Sequence, residues 1–153
     1  MQLAEALIER ADLQKRVEQL RGRIASNARY QEGEEPQEDA AALLTDAERT
    51  IDALEVLVAR INATNSATLL PDGTTVTALL ARRDALRLRH IVVTGAADAA
   101  SGQGGWRQMR SELRTFAALP TAELRARADR LAKELRDLDA VIQRTNWAVT
   151  LVQ

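Results

Sequence analysis

The chain has 153 residues, a net charge of −1, no cysteine and a single histidine, His90. That length suits one domain, residues 1–153, with a core of real size. The missing cysteines exclude disulfides, thiolate-bound zinc, iron–sulfur clusters and thiol catalysis, and one histidine excludes a multi-histidine metal site within a chain. Aromatic residues make up only 3%, so the core must be built from Leu, Ile, Val and Ala, a mixture that suits packed helices better than a sandwich or barrel.

The first ten residues carry charge from Glu5 onward and hold no continuous apolar run, unlike a secretory signal. A helix is expected from Leu3 to about Ala28, with Leu13, Val17, Leu20 and Ile24 as its seam and an Asp12–Arg16 ion pair on its surface. Residues 32–39 then place five acids, one Gly and one Pro in eight positions, which reads as a loop. A second helix begins between Asp39 and Thr45, where Thr45-Asp46-Ala47-Glu48 fits a capping box, and runs to about Ser66. Its apolar ladder is Leu44, Ala47, Ile51, Leu54, Val58 and Ile61, stepping by 3, 4, 3, 4, 3. Leu70-Pro71-Asp72-Gly73-Thr74 is a turn.

A third helix starts at Thr75, whose hydroxyl suits a cap, and runs to about Ala100. Its most apolar stretch, Ile91 to Ala100, is about half the length of a membrane span. Ser101 to Gly105 is a flexible loop, and Trp106 to Leu119 resists assignment, although Leu113 to Ala117 alternates weakly like an edge strand. Pro120-Thr121 opens a fourth helix reaching about Val152, with the ladder Leu124, Ala128, Leu131, Leu135, Leu138 and Ile142. The predicted fold is therefore all-α: an elongated antiparallel bundle of four long helices, with room for a minor two-stranded ribbon between residues 68–70 and 113–117.

A few polar residues break these patterns. Extending the third helix's seam through Val76, Leu79, Arg83, Leu86, His90 and Val93 puts Arg83 and His90 at apolar positions, with Asp84 alongside. A buried charge is costly unless paired, so Arg83 requires a carboxylate, either Asp84 or one from another helix. Such a pair either fixes helix register or lines a polar pocket between helices. Asn65 continues the second helix's ladder, where an amide specifies register. Asn62 and Asn146 sit in similar helix endings, Arg60-Ile61-Asn62-Ala63-Thr64-Asn65 and Gln143-Arg144-Thr145-Asn146-Trp147. The acids Glu32, Glu34, Glu35, Glu38 and Asp39 lack the spacing of an EF-hand loop, and docking of this loop onto a neighbour's arginines is the stronger reading.

The halves of the chain differ in charge. Residues 1–75 hold 14 acids and 8 bases, whereas residues 76–153 hold 8 acids and 13 bases. Opposite halves favour pairing within or between subunits over nucleic-acid binding, the more so because aromatics for base stacking are scarce.

Leu3-Ala4-Glu5-Ala6-Leu7, Ala11 to Arg16, Asn27-Ala28 with Gln31 to Pro36, Arg60-Ile61-Asn62 with Thr64-Asn65, Arg83-Asp84 with Leu86, and Leu138-Asp139 with Ile142-Gln143 and Asn146-Trp147 together resemble the septicolysin-like family of small bacterial proteins. Ser111 to Arg114 follows the family pattern, while Gln108-Met109 departs from it. The resemblance implies a helical fold and a bacterial origin, brings no established reaction or cofactor, and through its name implies a cytolysin. The expected function is a non-catalytic, cytoplasmic, homo-oligomeric helical interaction or scaffold protein, with Asn65, Arg83, Asp84 and His90 setting register. One alternative is a small-ligand or metal-binding bundle whose pocket uses Arg83, Asp84, His90, Asn62 and Asn146; another is a membrane-active protein. Neither a cofactor nor a nucleic-acid or membrane partner is expected.

Overall fold

The structure, a computed structural model, describes residues 1–102 and 114–152. Among them are four helices: α1 (Leu3–Asn27), α2 (Ala40–Ala67), α3 (Val76–Ala100) and α4 (Thr121–Ala148). The all-α class and the four long helices expected from the sequence are what the chain adopts. It divides into two compact units, residues 1–75 with 144–153 and residues 76–143, so that α4 runs from the second into the first.

In the first unit α1 and α2 form an antiparallel pair. Leu3 and Ala6 at the start of α1 cluster with Leu57 and Ile61 near the end of α2. Leu20 near the end of α1 clusters with Leu43 and Ala47 at the start of α2. Each of these leucines gains about 1.5–3 kcal/mol on burial, which is why long helices with one apolar side pair in this way.

The loop between them is tied down by polar contacts. Arg23 forms an ion pair with Glu38, and the Asn27 side chain accepts from the Glu38 amide at 3.0 Å while donating to the Arg23 carbonyl at 2.9 Å. Asp39 caps α2, accepting from the amides of Ala41 and Ala42 at 2.9 and 3.2 Å. The capping box expected at Thr45 is not formed: the cap is Asp39, six residues earlier, and the Thr45 hydroxyl donates to the Ala41 carbonyl at 3.1 Å inside the helix.

The seam of α2 also differs from the ladder in the sequence. The residues facing inward are Leu43, Ala47, Thr50, Leu54, Leu57, Ile61 and Thr64, whereas Leu44 and Ile51 stay about half exposed. Both series share Ala47, Leu54 and Ile61, but Leu44, Ile51 and Val58 lie one residue, about 100°, around the helix from the true seam. Two threonines complete it because their hydroxyls are satisfied at home. Thr50 donates to the Asp46 carbonyl at 2.7 Å and Thr64 to the Arg60 carbonyl at 2.8 Å, so each presents a methyl group at no hydrogen-bonding cost.

The last segment of the chain is the third correction. α4 stops at Ala148; the chain bends at Val149, whose amide still donates to the Thr145 carbonyl at 3.0 Å, and Thr150 to Val152 leave the helix, Thr150 in a β-bridge. Three of those four residues are β-branched, which favours extension. Thr150 pairs antiparallel with Gln2; the Leu3 amide donates to the Val149 carbonyl at 2.8 Å and the Leu151 amide to the Met1 carbonyl at 3.0 Å. The end of α2 grips the same segment: Arg60 Nε donates to the Val152 carbonyl at 2.9 Å, and the Val152 amide donates to Thr64 Oγ1 at 3.0 Å. Leu151 and Val149 thereby join the cluster around Leu3 and Ile61.

The stretch 68–70 pairs locally. Leu69 bridges Thr75 across a tight turn in which Gly73 takes a φ of 81° and Asp72 accepts from the Thr74 amide at 2.9 Å. Residues 114–117 carry no strand, and residue 113 lies outside the described residues.

In the second unit α3 and the main length of α4 run antiparallel: Asp98 near the end of α3 lies 3.9 Å from Arg125 at the start of α4, whereas Arg82 and Arg87 in the first half of α3 reach Glu134 at 2.7 Å and Asp139 at 3.7 Å further along α4. The α4 ladder turns inward as its spacing dictates: Ala128, Leu131, Leu138 and Ile142 are buried, with Leu124 and Leu135 half-buried. On α3 the inward residues are Val76, Leu79, Leu86, Val93 and Ala97.

Candidate functional site

Arg83 and His90 lie on the inward side of α3, each half-buried. Arg83 finds its carboxylate next door: its Nε and Nη2 both donate to Asp84 Oδ1 at 3.1 Å. Asp84 itself is well exposed, with Arg87 a further 3.9 Å away on the same oxygen. The pair is therefore a half-solvated one, whose energetic weight is small beside that of a fully buried pair. His90 lies two turns further along. One turn beyond His90, Thr94 Oγ1 is buried without a hydrogen-bond partner.

The three asparagines belong to the first unit. Asn62 is exposed on α2, Asn65 is half-buried next to the seam position that Thr64 occupies, and Asn146 is buried in the last turns of α4. Of the six residues singled out in the sequence, the structure joins Arg83 to Asp84 by hydrogen bonds. The seam position expected for Asn65 belongs to Thr64, because the inward face of α2 is rotated by one residue.

The acidic loop uses its charges structurally. Glu38 is held by Arg23, whose guanidinium keeps the Glu38 carboxyl below the usual carboxylate range through its hydrogen bond, and Asp39 is a helix cap. An open cleft of about 590 Å³ lies beside these residues, lined by Asn27, Tyr30, Pro36 and Glu38 among others. No group of three metal-ligating side chains comes together among the described residues. Three arginines of the second unit are held by carboxylates within it: Arg82 by Glu134, Arg87 by Asp139 and Arg125 by Asp98. Arg107 and Arg110 lie outside the described residues.

One feature of α3 escaped the sequence reading. Opposite its inward face, Ala81, Ala85, Leu88, Val92, Gly95 and Ala99 step by 4, 3, 4, 3, 4, and every one of them is exposed. Leu88 and Val92 are 66% and 68% exposed, and Ile91 beside them 65%. The helix thus carries two apolar ladders on opposite sides, a pattern expected of a helix covered on both sides. The signal was present in the spacing, but the strong first ladder through Val76 and Leu86 drew the assignment.

A profile of a family of unknown function, DUF6847, matches the chain over residues 10–151. The chain belongs to this family. No protein of curated function matches it. It is similar to a functionally unknown conserved protein from Corynebacterium diphtheriae, known from a crystal structure, with 38% sequence identity, 99% of each chain covered and a TM-score of 0.94. Family and neighbour alike thus assign no specific function. No helix of the described residues is long and apolar enough to cross a membrane.

Proposed function

We propose that this member of the family is a non-catalytic helical interaction protein of the cytoplasm that works as a homo-oligomer. The observation that carries the reading is the outer ladder of α3, which leaves Leu88, Ile91 and Val92 each about two-thirds exposed on one face. Scattered exposed apolar residues are ordinary, but a continuous helical stripe marks an interaction surface. The dense charge of the remaining surface, 28% of all residues, suits a protein that stays in solution while presenting one sticky face. The kinship with septicolysin-like proteins belongs to the same proposal, rests on the short shared segments quoted above, and adds no activity.

A second reading, a helical protein that holds a small polar ligand, draws on the unpartnered Thr94 hydroxyl one turn from the half-buried His90 and about three turns from the Arg83–Asp84 pair. Native mass spectrometry separates the two. A multiple of the 16.8 kDa chain mass supports self-association. A monomer at all concentrations up to about 100 μM overturns it, and extra mass lost on denaturation transfers support to the ligand reading.

A further inference from the structure

We infer that the outer face of α3 pairs with the same face of a second copy of this chain, the two helices parallel and in register. This rests on the homo-oligomer reading and specifies where and how the copies meet. Ala81, Ala85, Leu88, Val92, Gly95 and Ala99 form the stripe, about 27 Å long at 1.5 Å per residue. Its 4-3 spacing is that of a coiled-coil seam.

The charges beside the stripe choose the occupant and its direction. One edge carries Arg82 and Arg89, and the other carries Asp84 and Asp98; Arg82 and Asp98 already have partners within the chain, Glu134 and Arg125, so the contrast rests on Asp84 and Arg89. In an antiparallel pair related by a two-fold axis, each edge meets its own copy, so arginine would face arginine and aspartate would face aspartate. In a parallel pair the basic edge of one copy meets the acidic edge of the other. Asp84 then faces Arg89 of the second copy, because residues five apart meet across a parallel seam, and the symmetry makes the contact twice. Each group keeps capacity for it. All of Asp84's contacts within the chain fall on Oδ1, leaving Oδ2. Arg89 is exposed and has no ion pair among the described residues.

Gly95 adds an independent argument. Glycine weakens a helix interior relative to alanine. A Cβ at this position would meet nothing within 4 Å, so the chain's own packing does not require glycine there. In the seam of a helix pair the missing side chain allows the backbones to approach closely.

The test uses the full chain. Val92→Glu places a charge in the middle of the stripe at a position already exposed; the variant should keep its helical circular dichroism and sediment as a monomer where the parent sediments as a dimer. Asp84→Arg and Arg89→Asp should each weaken the dimer about tenfold, because two attractive contacts become repulsive. Mixed together, the two variants should form a heterodimer of parental strength, since each repulsive pair becomes an attractive one. The absence of native cysteine allows direct cross-linking: Ala85→Cys and Val92→Cys should both close disulfides between copies under mild oxidation, and Glu48→Cys on α2 should not. A parent dimer that survives Val92→Glu overturns this interface while leaving self-association intact. Cross-linking at only one of the two α3 positions overturns the parallel register, and a monomeric parent overturns both this inference and the reading on which it rests.

Discussion

Thr64 offers the sharpest test of how the first unit is closed. It is 1% exposed, its hydroxyl donates to the Arg60 carbonyl at 2.8 Å, and the same oxygen accepts from the Val152 amide at 3.0 Å. Thr64→Val keeps the shape and removes only the oxygen. The Arg60 carbonyl lies within the helical ladder, so its loss is small. The Val152 amide is left without its partner, and the net cost should be about 1 kcal/mol. In a chain of this length that lowers Tm by about 2–4 °C. If the terminal segment opens before the rest of the unit, the amides of Leu151 and Val152 should exchange about fivefold faster while that of Leu57 is unchanged. Thr64→Ser, which keeps the oxygen, should restore the protection at Val152. Hydrogen exchange read by NMR decides the matter: undiminished protection of Val152 in Thr64→Val would refute the idea that this hydroxyl holds the terminal segment.

Leu43→Ala should cost about 2–4 kcal/mol by chemical denaturation, because Leu43 is 6% exposed, whereas Leu44→Ala, at 51% exposed, should stay within about 0.5 kcal/mol; equal costs would restore the ladder through Leu44. Asp39→Ala removes the cap of α2 and should cost about 1 kcal/mol, with Asp39→Asn recovering most of it. Because Arg23 depresses the Glu38 carboxyl, the stabilisation it supplies is present above the ordinary glutamate range near pH 4.3 and is lost as pH falls through the lower folded value. Glu38→Gln should therefore flatten the acid limb of a stability–pH curve below about pH 4 and leave the curve's shape near neutrality unchanged.

Helix count, helix type and most boundaries were legible because the apolar spacing of α1, α3 and α4 is regular and the breaks at Gly33 to Asp39 and Pro71 to Gly73 are strong. The face of α2 was harder to read, since its true seam passes through Thr50 and Thr64, whose polarity in sequence hides the internal hydrogen bonds that let them be buried. The end of α4 was missed for a different reason. Val149, Leu151 and Val152 prolong the apolar pattern, and pairing with Met1 to Leu3, far away in sequence, adds to the β-branched bias that takes the segment out of the helix. The polar residues were legible as exceptions, and the Arg83–Asp84 contact follows from their adjacency. The outer face of α3 was written in alanine, glycine and a few larger side chains, a low-contrast pattern beside the stronger ladder on the same helix.

The contact between the Met1 carbonyl and the Leu151 amide closes a span of about 150 residues. The Leu20–Leu43 contact of the helical hairpin closes one of about 23. Loop-closure entropy makes the longer span costlier by about 1.7 kcal/mol, so the hairpin should organise first and the terminal pairing should follow. Lesions in that pairing then leave the folding rate nearly untouched and appear in the unfolding rate. Leu3, fully buried beneath that late-forming contact, would be among the last side chains to leave water and among the first to return to it.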